Sequence, residues 1–275
     1  MEKLDAQQLT KKANEMRIVC LEMLKVAGSG HVGGSLSAMD ILTALYFNIL
    51  NINPENPKEN HRDRFILSGG HKAAAYVAVL AARGFFDVDL LKTFNKMDSP
   101  FGMHPDMHKI RGCEMSTGSL GHGLPVGVGM ALALRMDGIK SKVVILMGDG
   151  ETHEGTVWES AMGASHHKLD NLVAIIDYNK CSMDGPIENI LNIEPVADKW
   201  KCFGWGIRRI NGHNMEEILA AFKNIPDEEG KPTVIIADTI KGKGIPSVEG
   251  KYSCHYAVCS DDMINECKLQ VEKEE

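Results

Sequence analysis

Asp149 and Asn179 are the residues best placed, by type and spacing, to do chemistry. Asp149 lies in Met147-Gly148-Asp149-Gly150-Glu151-Thr152-His153-Glu154-Gly155, and Asn179 in Asp177-Tyr178-Asn179-Lys180-Cys181. Each stretch directly follows an apolar run. A carboxylate, an amide oxygen and a nearby main-chain carbonyl are hard donors suited to Mg²⁺ or Ca²⁺. Mg²⁺ in particular takes one or two carboxylates and completes its shell with phosphate oxygens and water. Gly148 and Gly150 let the main chain approach a diphosphate, and a helix beginning after them points its first amides at it. A Gly-Asp-Gly turn alone says little, because these are ordinary turn residues. Its pairing with an asparagine after the next apolar run makes the combination specific.

For the two side chains to meet, the elements between them must carry both to one place. Residues 143–147, 172–177 and 233–238 are Val- and Ile-rich and read as buried strands, with a helix over 154–168. In a right-handed βαβ unit both strands run the same way, so Asp149 and Asn179 emerge at the same carboxyl edge, where open α/β sheets bind ligands. Upstream, apolar spacing predicts a helix over 7–27, ended by a glycine-rich segment at 28–34 too dense for a helix interior. A second helix is expected over 37–50, a short strand over 65–68, and helices over 73–83 and 126–135. Loops fill 99–112 and 116–123. Continuous apolar strands alternating with helices define an α/β fold, an open and mostly parallel sheet with helices on both faces. With no repeat or linker, residues 1–275 are one domain, ending in a charged tail at about 261–275 that is expected to be a solvated helix or to fray.

Composition narrows the function classes. A net charge of −7, with 44% hydrophobic and 24% charged residues, describes a globular chain and argues against a general nucleic-acid binder. The longest apolar run, 73–82, is too short to span a bilayer, and the first residues do not resemble a signal peptide. Seven scattered cysteines without a CxxC pair suit a reduced, cytoplasmic protein. His104 and His108 have metal-like spacing, but Pro105 prevents a shared helical face. His166 and His167 suit a helix C-terminus, Cys254 and Cys259 are too isolated for zinc, and the methionines suit core filling.

Together these residues resemble the thiamine diphosphate motif, and from about residue 8 to His255 the chain resembles the N-terminal part of the transketolase family. Ser29-Gly30-His31-Val32-Gly33-Gly34-Ser35 resembles the family's first glycine–histidine segment, and Asp63-Arg64-Phe65-Ile66-Leu67-Ser68-Gly69-Gly70-His71 its second. Gly102-Met103-His104-Pro105-Asp106 is similar to the Gly-His-Pro-Glu loop, with an extra Met and Asp for Glu. Residues 116–123 are similar to Thr-Thr-Gly-Pro-Leu-Gly-Gln-Gly, with Ser119 for Pro and His122 for Gln.

The resemblance implies thiamine diphosphate as cofactor, with Mg²⁺ (or Ca²⁺) held by Asp149, Asn179 and the Cys181 carbonyl. Gly148, Gly150 and Glu151 would lie at the diphosphate with His71 and His255, and Gly118, Ser119 and Leu120 would line the cofactor. His31, His71, His104 and His255 would serve catalysis at the sugar hydroxyls, although Tyr256 stands where the family has a glycine after its histidine. Glu154 would join a carboxylate network at the subunit interface. Nothing in the chain matches the aromatic wall and glutamate that thiamine's aminopyrimidine ring needs. It is therefore expected to be one half of a split transketolase, pairing with a C-terminal, pyrimidine-binding subunit in an α2β2 assembly that acts on sugar phosphates. Other thiamine enzyme halves, such as 1-deoxyxylulose-5-phosphate synthase or a 2-oxoacid dehydrogenase E1 subunit, share the Gly-Asp-Gly and Asn anchor. From other classes, a Mg²⁺-dependent phosphohydrolase with Asp149 as nucleophile and a non-catalytic nucleotide-binding module remain open.

Overall fold

Apolar positions at three- and four-residue spacing between Leu9 and Leu24 bury one side of α1 (Ala6–Ala27). A reciprocal capping box of Asp5 and Gln8 starts it, and Gly28, at φ 85°, ends it in a left-handed turn. The computed structural model describes residues 3–274, and its further helices are α2 (Val32–Ser37), α3 (Met39–Ala44), α4 (Ala73–Arg83), α5 (Gly123–Met136), α6 (Gly155–His166), α7 (Ile187–Leu191), α8 (Val196–Cys202), α9 (Met215–Phe222) and α10 (Asp261–Glu274).

The helix expected over 37–50 is instead three pieces: α2, α3 and a π-helical turn, Leu45–Ile49. The glycine-rich segment, expected to be non-helical, supplies the start of α2. Close approach explains why glycines are tolerated there. Every residue of α2 is buried, and a Cβ on Gly33 would stand 2.6 Å from Cys254 Sγ and 2.8 Å from Lys241 Cγ.

Five strands form one sheet: β1 (Arg64–Leu67), β2 (Val143–Gly148), β3 (Leu172–Tyr178), β4 (Gly206–Asn211) and β5 (Thr233–Asp238). All neighbours run parallel, in the order β1-β2-β3-β5-β4. Side chains alternate between the two faces even where every residue is apolar. Val144, Leu146, Val173, Ile175 and Ile235 join the core under α1, α3, α4, α9 and α10. Val143, Ile145, Ala174, Ile176 and Val234 join the core under α5, α6 and α8. The sheet is thus covered on both faces, and the loops after β1, β2, β3 and β5 gather at its carboxyl edge.

The charged tail also departs from expectation. Met263, Ile264 and Cys267 are buried along α10, which packs on α1, so its apolar stripe is real although charged residues outnumber it. No helix among the described residues is long and apolar enough to cross a membrane.

Gly33→Ala weighs two effects of opposite sign. Alanine improves a helix interior by roughly 1 kcal/mol, but here its methyl meets a sulfur, a buried lysine stem and the Cys254 carbonyl at 3.0 Å or less. Overpacking of this kind costs roughly 1–3 kcal/mol and should win. The expected result is a lower urea midpoint with an unchanged slope; a higher midpoint would show that the segment yields.

Candidate active site

β2 and β3 are parallel, with Gly148 opposite Asp177, so the residues that follow each strand emerge side by side. Asp149 is buried, with 3% exposure. Its Oδ1 accepts from the Gly150 amide at 2.7 Å and its Oδ2 from the Lys180 amide at 2.6 Å. Asn179 Oδ1 accepts from the Cys181 amide at 3.1 Å. The helix expected over 154–168 is present as α6 (Gly155–His166), and a single 3₁₀ turn, residues 150–153, stands between it and Asp149. The Gly150 amide is already engaged by Asp149.

Burial, and next the charge of Asp177, push the Asp149 carboxyl up to about 6. Lys72 offsets only part of this. A buried carboxylate whose charge is penalised by its surroundings, beside an amide oxygen and a main-chain carbonyl, fits a hard divalent cation. No group of three or more His, Cys, Asp or Glu among the described residues could ligate a metal alone. A cation here would therefore draw further oxygens from its ligand.

Two buried lysines, absent from the residues singled out in the sequence, complete the floor. Lys72 Nζ lies 2.8 Å from Asp177 Oδ2, and both side chains are almost fully buried. Burial works against the Asp177 charge, yet Lys72, Thr239 and Ser37 hold its carboxyl below the usual range. Lys241 Nζ donates to the carbonyls of Cys181 (2.9 Å) and Ser182 (2.8 Å) and faces His255 Nδ1 at 3.0 Å. The Cys181 carbonyl thus already accepts one hydrogen bond and keeps one lone pair. A lysine abutting the apolar run 73–82 was the available signal for Lys72; for Lys241 the sequence offers none.

These residues border one cavity of about 230 Å³, lined also by Gly34, Gly118, Leu120, Gly148, Gly150, Glu151 and Met183. Glu151 is fully buried and its carboxylate is spent on the protein: Ser68 Oγ, the Gly121 amide at 2.9 Å and the Gly148 amide at 3.2 Å all donate to it. It fixes the loop 116–123 against the end of β2. Ser119 is exposed and outside the lining, and Glu154 is the exposed N-cap of α6, packed against Gly121.

Four histidines from distant parts of the sequence converge beside the cavity. The His31 ring centroid lies 5.6 Å from that of His71, 5.9 Å from His104 and 5.4 Å from His255, with His71 and His255 also 5.4 Å apart. The His104 ring packs against Gly118, where a Cβ would stand 3.3 Å away. Burial, reinforced by the neighbouring cations and rings, lowers His31 and His255 to about 4 and His71 well below its ordinary value. At neutral pH these three rings are neutral, each able to give a proton from one nitrogen and take one at the other.

A parallel α/β sheet whose carboxyl edge presents a buried Asp–Asn pair, two ammonium groups and clustered neutral imidazoles is an enzyme domain for a small anionic ligand. Residues 8–274 match the family described as transketolase, thiamine diphosphate binding domain. The chain is 43% identical over 266 residues to the 6-deoxy-6-sulfo-D-fructose transketolase subunit SqwG of Clostridium sp., covering 97% of each. It is 41% identical over 264 residues to an apulose-4-phosphate transketolase subunit of Phocaeicola vulgatus, covering 96% of this chain and 93% of that one. The crystal structure of Campylobacter jejuni transketolase matches with a TM-score of 0.92 at 34% identity, over 98% of this chain and 43% of that one. The chain therefore spans less than half of that solved enzyme and nearly all of the two subunits. It belongs to the transketolase family, as the N-terminal, thiamine diphosphate-binding part. The phosphohydrolase and nucleotide-module alternatives fall with that membership.

The raised Asp149 has a sign that can be checked without any ligand. A carboxyl shifted upward adds stability below its unfolded pKa, and that stability is lost as pH rises through about 6. Above that, the buried charge costs on the order of 2–3 kcal/mol. Asparagine has one acceptor where Asp149 accepts from two amides, so Asp149→Asn carries a pH-independent cost; in the metal-free chain its Tm relative to wild type should therefore rise between pH 4 and pH 8. A Tm difference that does not rise over that range would mean that the carboxylate is not penalised by its surroundings.

Proposed function

We propose that this chain is the diphosphate-anchoring half of a two-chain transketolase, moving a two-carbon ketol unit from a ketose phosphate to an aldose phosphate. The observation that carries the proposal is the convergence of His31, His71, His104 and His255 beside the cavity that holds Asp149 and Asn179. Coverage supports the division into two chains, because the relatives matched almost end to end are named as subunits. Their names also point to specialised ketoses, so pentose-phosphate sugars and modified or branched ketoses are both within the proposed substrate class.

Thiamine diphosphate, when bound, supplies the electron sink that lets a carbon–carbon bond beside a ketose carbonyl break and re-form. This chain supplies anchorage and proton traffic. Asp149, the Asn179 amide oxygen and the Cys181 carbonyl would hold Mg²⁺, or Ca²⁺, and Gly148 and Gly150 leave room for the diphosphate. Lys72 and Lys241 contribute fixed positive charge, and His71 faces the same region. Because Lys241 donates toward His255 Nδ1, the neutral His255 ring carries its proton on Nε2 and can donate it to a sugar oxygen. His31 and His104 would take up and return protons at the sugar hydroxyls. Gly118, Ser119 and Leu120 would border the cofactor. The exposed Glu154 would meet a second copy in an α2β2 assembly with two-fold symmetry. Seven free thiols suit the cytoplasm.

The test is ketol transfer with thiamine diphosphate and Mg²⁺, by the purified chain alone and after adding a pyrimidine-binding transketolase subunit. Activity is expected only in the mixture. His71→Ala should then lower it at least tenfold, as positioned acid–base groups contribute about 10²–10⁴. Full turnover by the chain alone would refute the two-chain proposal, and a mixture without turnover would refute ketol transfer.

A further inference from the structure

Working histidines are commonly oriented by a hydrogen bond from the second ring nitrogen to a carbonyl or carboxylate. His31 is held differently. Its Nδ1 is buried and has no hydrogen-bond partner among the described residues. Rings surround it instead. Tyr256 meets it edge-on, with centroids 5.1 Å apart at 80°, and His255 does so at 5.4 Å and 87°. Crossed rings of this kind attract through their quadrupoles and fix mutual orientation.

Tyr256 is itself anchored. Its hydroxyl lies 2.8 Å from Ser29 Oγ. The main chains of the two segments are joined next to these residues: the Gly30 amide donates to the Ala257 carbonyl at 3.0 Å, and the Ala257 amide to the Gly30 carbonyl at 2.9 Å. A two-way main-chain clip and a phenol–hydroxyl bond thus close the segment 29–31 against 255–257, with the His31 imidazole next to the closure. His71 and His104 complete the ring's surroundings, and Lys241 is the nearby charge.

We propose that Tyr256 is a positioning residue for His31: its Ser29-anchored ring sets the orientation of the imidazole in place of a hydrogen bond at Nδ1. Proton exchange with a bound substrate is then left to the other ring nitrogen, which can take up a proton and return it while Nδ1 stays buried and the ring keeps its orientation. Burial, with the His104 ring and the Lys241 charge, keeps the free ring neutral at neutral pH, so that such uptake starts from the neutral ring. The catalytic consequence rests on the proposed ketol transfer; the positional one does not.

The test compares wild type, Tyr256→Ala, Tyr256→Phe and Ser29→Ala in the two-chain enzyme loaded with thiamine diphosphate and Mg²⁺. Tyr256→Ala should lower kcat by about tenfold to a hundredfold, the loss expected when a reacting group is misplaced by about 1 Å, while KM changes less than about threefold. Tyr256→Phe and Ser29→Ala each lose only the phenol–hydroxyl bond and keep the aromatic edge, and both should recover most of the turnover. If Tyr256→Ala does not fold, Tyr256→Leu, which fills the space without an aromatic edge, is expected to show the same loss. The second readout needs no activity: a crystal structure of the variant chain should show the His31 ring turned to give Nδ1 a polar partner. An unmoved ring, or Phe and Ala variants equally impaired, would overturn the proposal. A wild-type mixture without turnover would count against ketol transfer instead, and the crystal structure would still decide the role of Tyr256.

Discussion

The carboxylate of Asp177 is the joint on which the carboxyl edge depends. It sits at the end of β3 with no solvent exposure. Lys72 reaches it from the loop after β1, Ser37 Oγ from the end of α2 at 2.7 Å, and Thr239 Oγ1 from the loop after β5. Asn179 Nδ2 approaches at 3.4 Å from its own strand's exit. One buried charge therefore gathers three remote segments to the exit of its own strand. Such a charge holds a fold together only while every oxygen is served, because one left unpaired in a dry interior costs several kcal/mol. Here the oxygens are served by the elements that must be close for the cavity to exist. The same charge also makes ionisation of Asp149 difficult, so the joint that assembles the edge prepares the carboxylate beside it for a cation.

Global and local electrostatics point opposite ways in this chain. With a net charge of −7 it repels anions at long range, yet the cavity floor carries two buried ammonium groups and the imidazoles around it are uncharged. Attraction for a phosphate is thereby confined to distances at which water has been expelled and screening is weak. Selectivity then comes from fit into the edge.

Much of this was written in the sequence. Four of the five parallel strands, α1, α4, α5, α6 and the placement of Asp149 and Asn179 at one edge follow from apolar runs and the handedness of βαβ units. β4 was not legible, because Gly206-Ile207-Arg208-Arg209-Ile210-Asn211 is a half-exposed edge strand with two arginines and no apolar run. The division of residues 32–49 was hidden because glycine density signals a turn, whereas here it reflects crowding against Cys254 and Lys241. Motif resemblance could single out the four histidines, but only the tertiary fold shows that His31 and His255 meet. Glu151 adds a second role: the resemblance placed it at the diphosphate, and in the structure it lines the cavity while its carboxylate holds neighbouring loops. The buried stripe of α10 was masked by composition, since three apolar residues suffice to dock a helix that is otherwise charged.

The two margins of the sheet carry a consequence for how copies of this chain can meet. β1 is four residues long. At the far side Arg208 turns from β4 to the carbonyls of Ala221 and Lys223 and to Asp227, and Arg209 to Asp238 and Glu194. A short strand at one end and a charged, laced strand at the other offer a foreign strand little to add to. Growth by β-extension, the route to fibres and runaway aggregates, is thereby discouraged at both ends. Assembly is left to the helical faces, where Met136 and Met162 stand exposed, and such contacts can close into a finite particle.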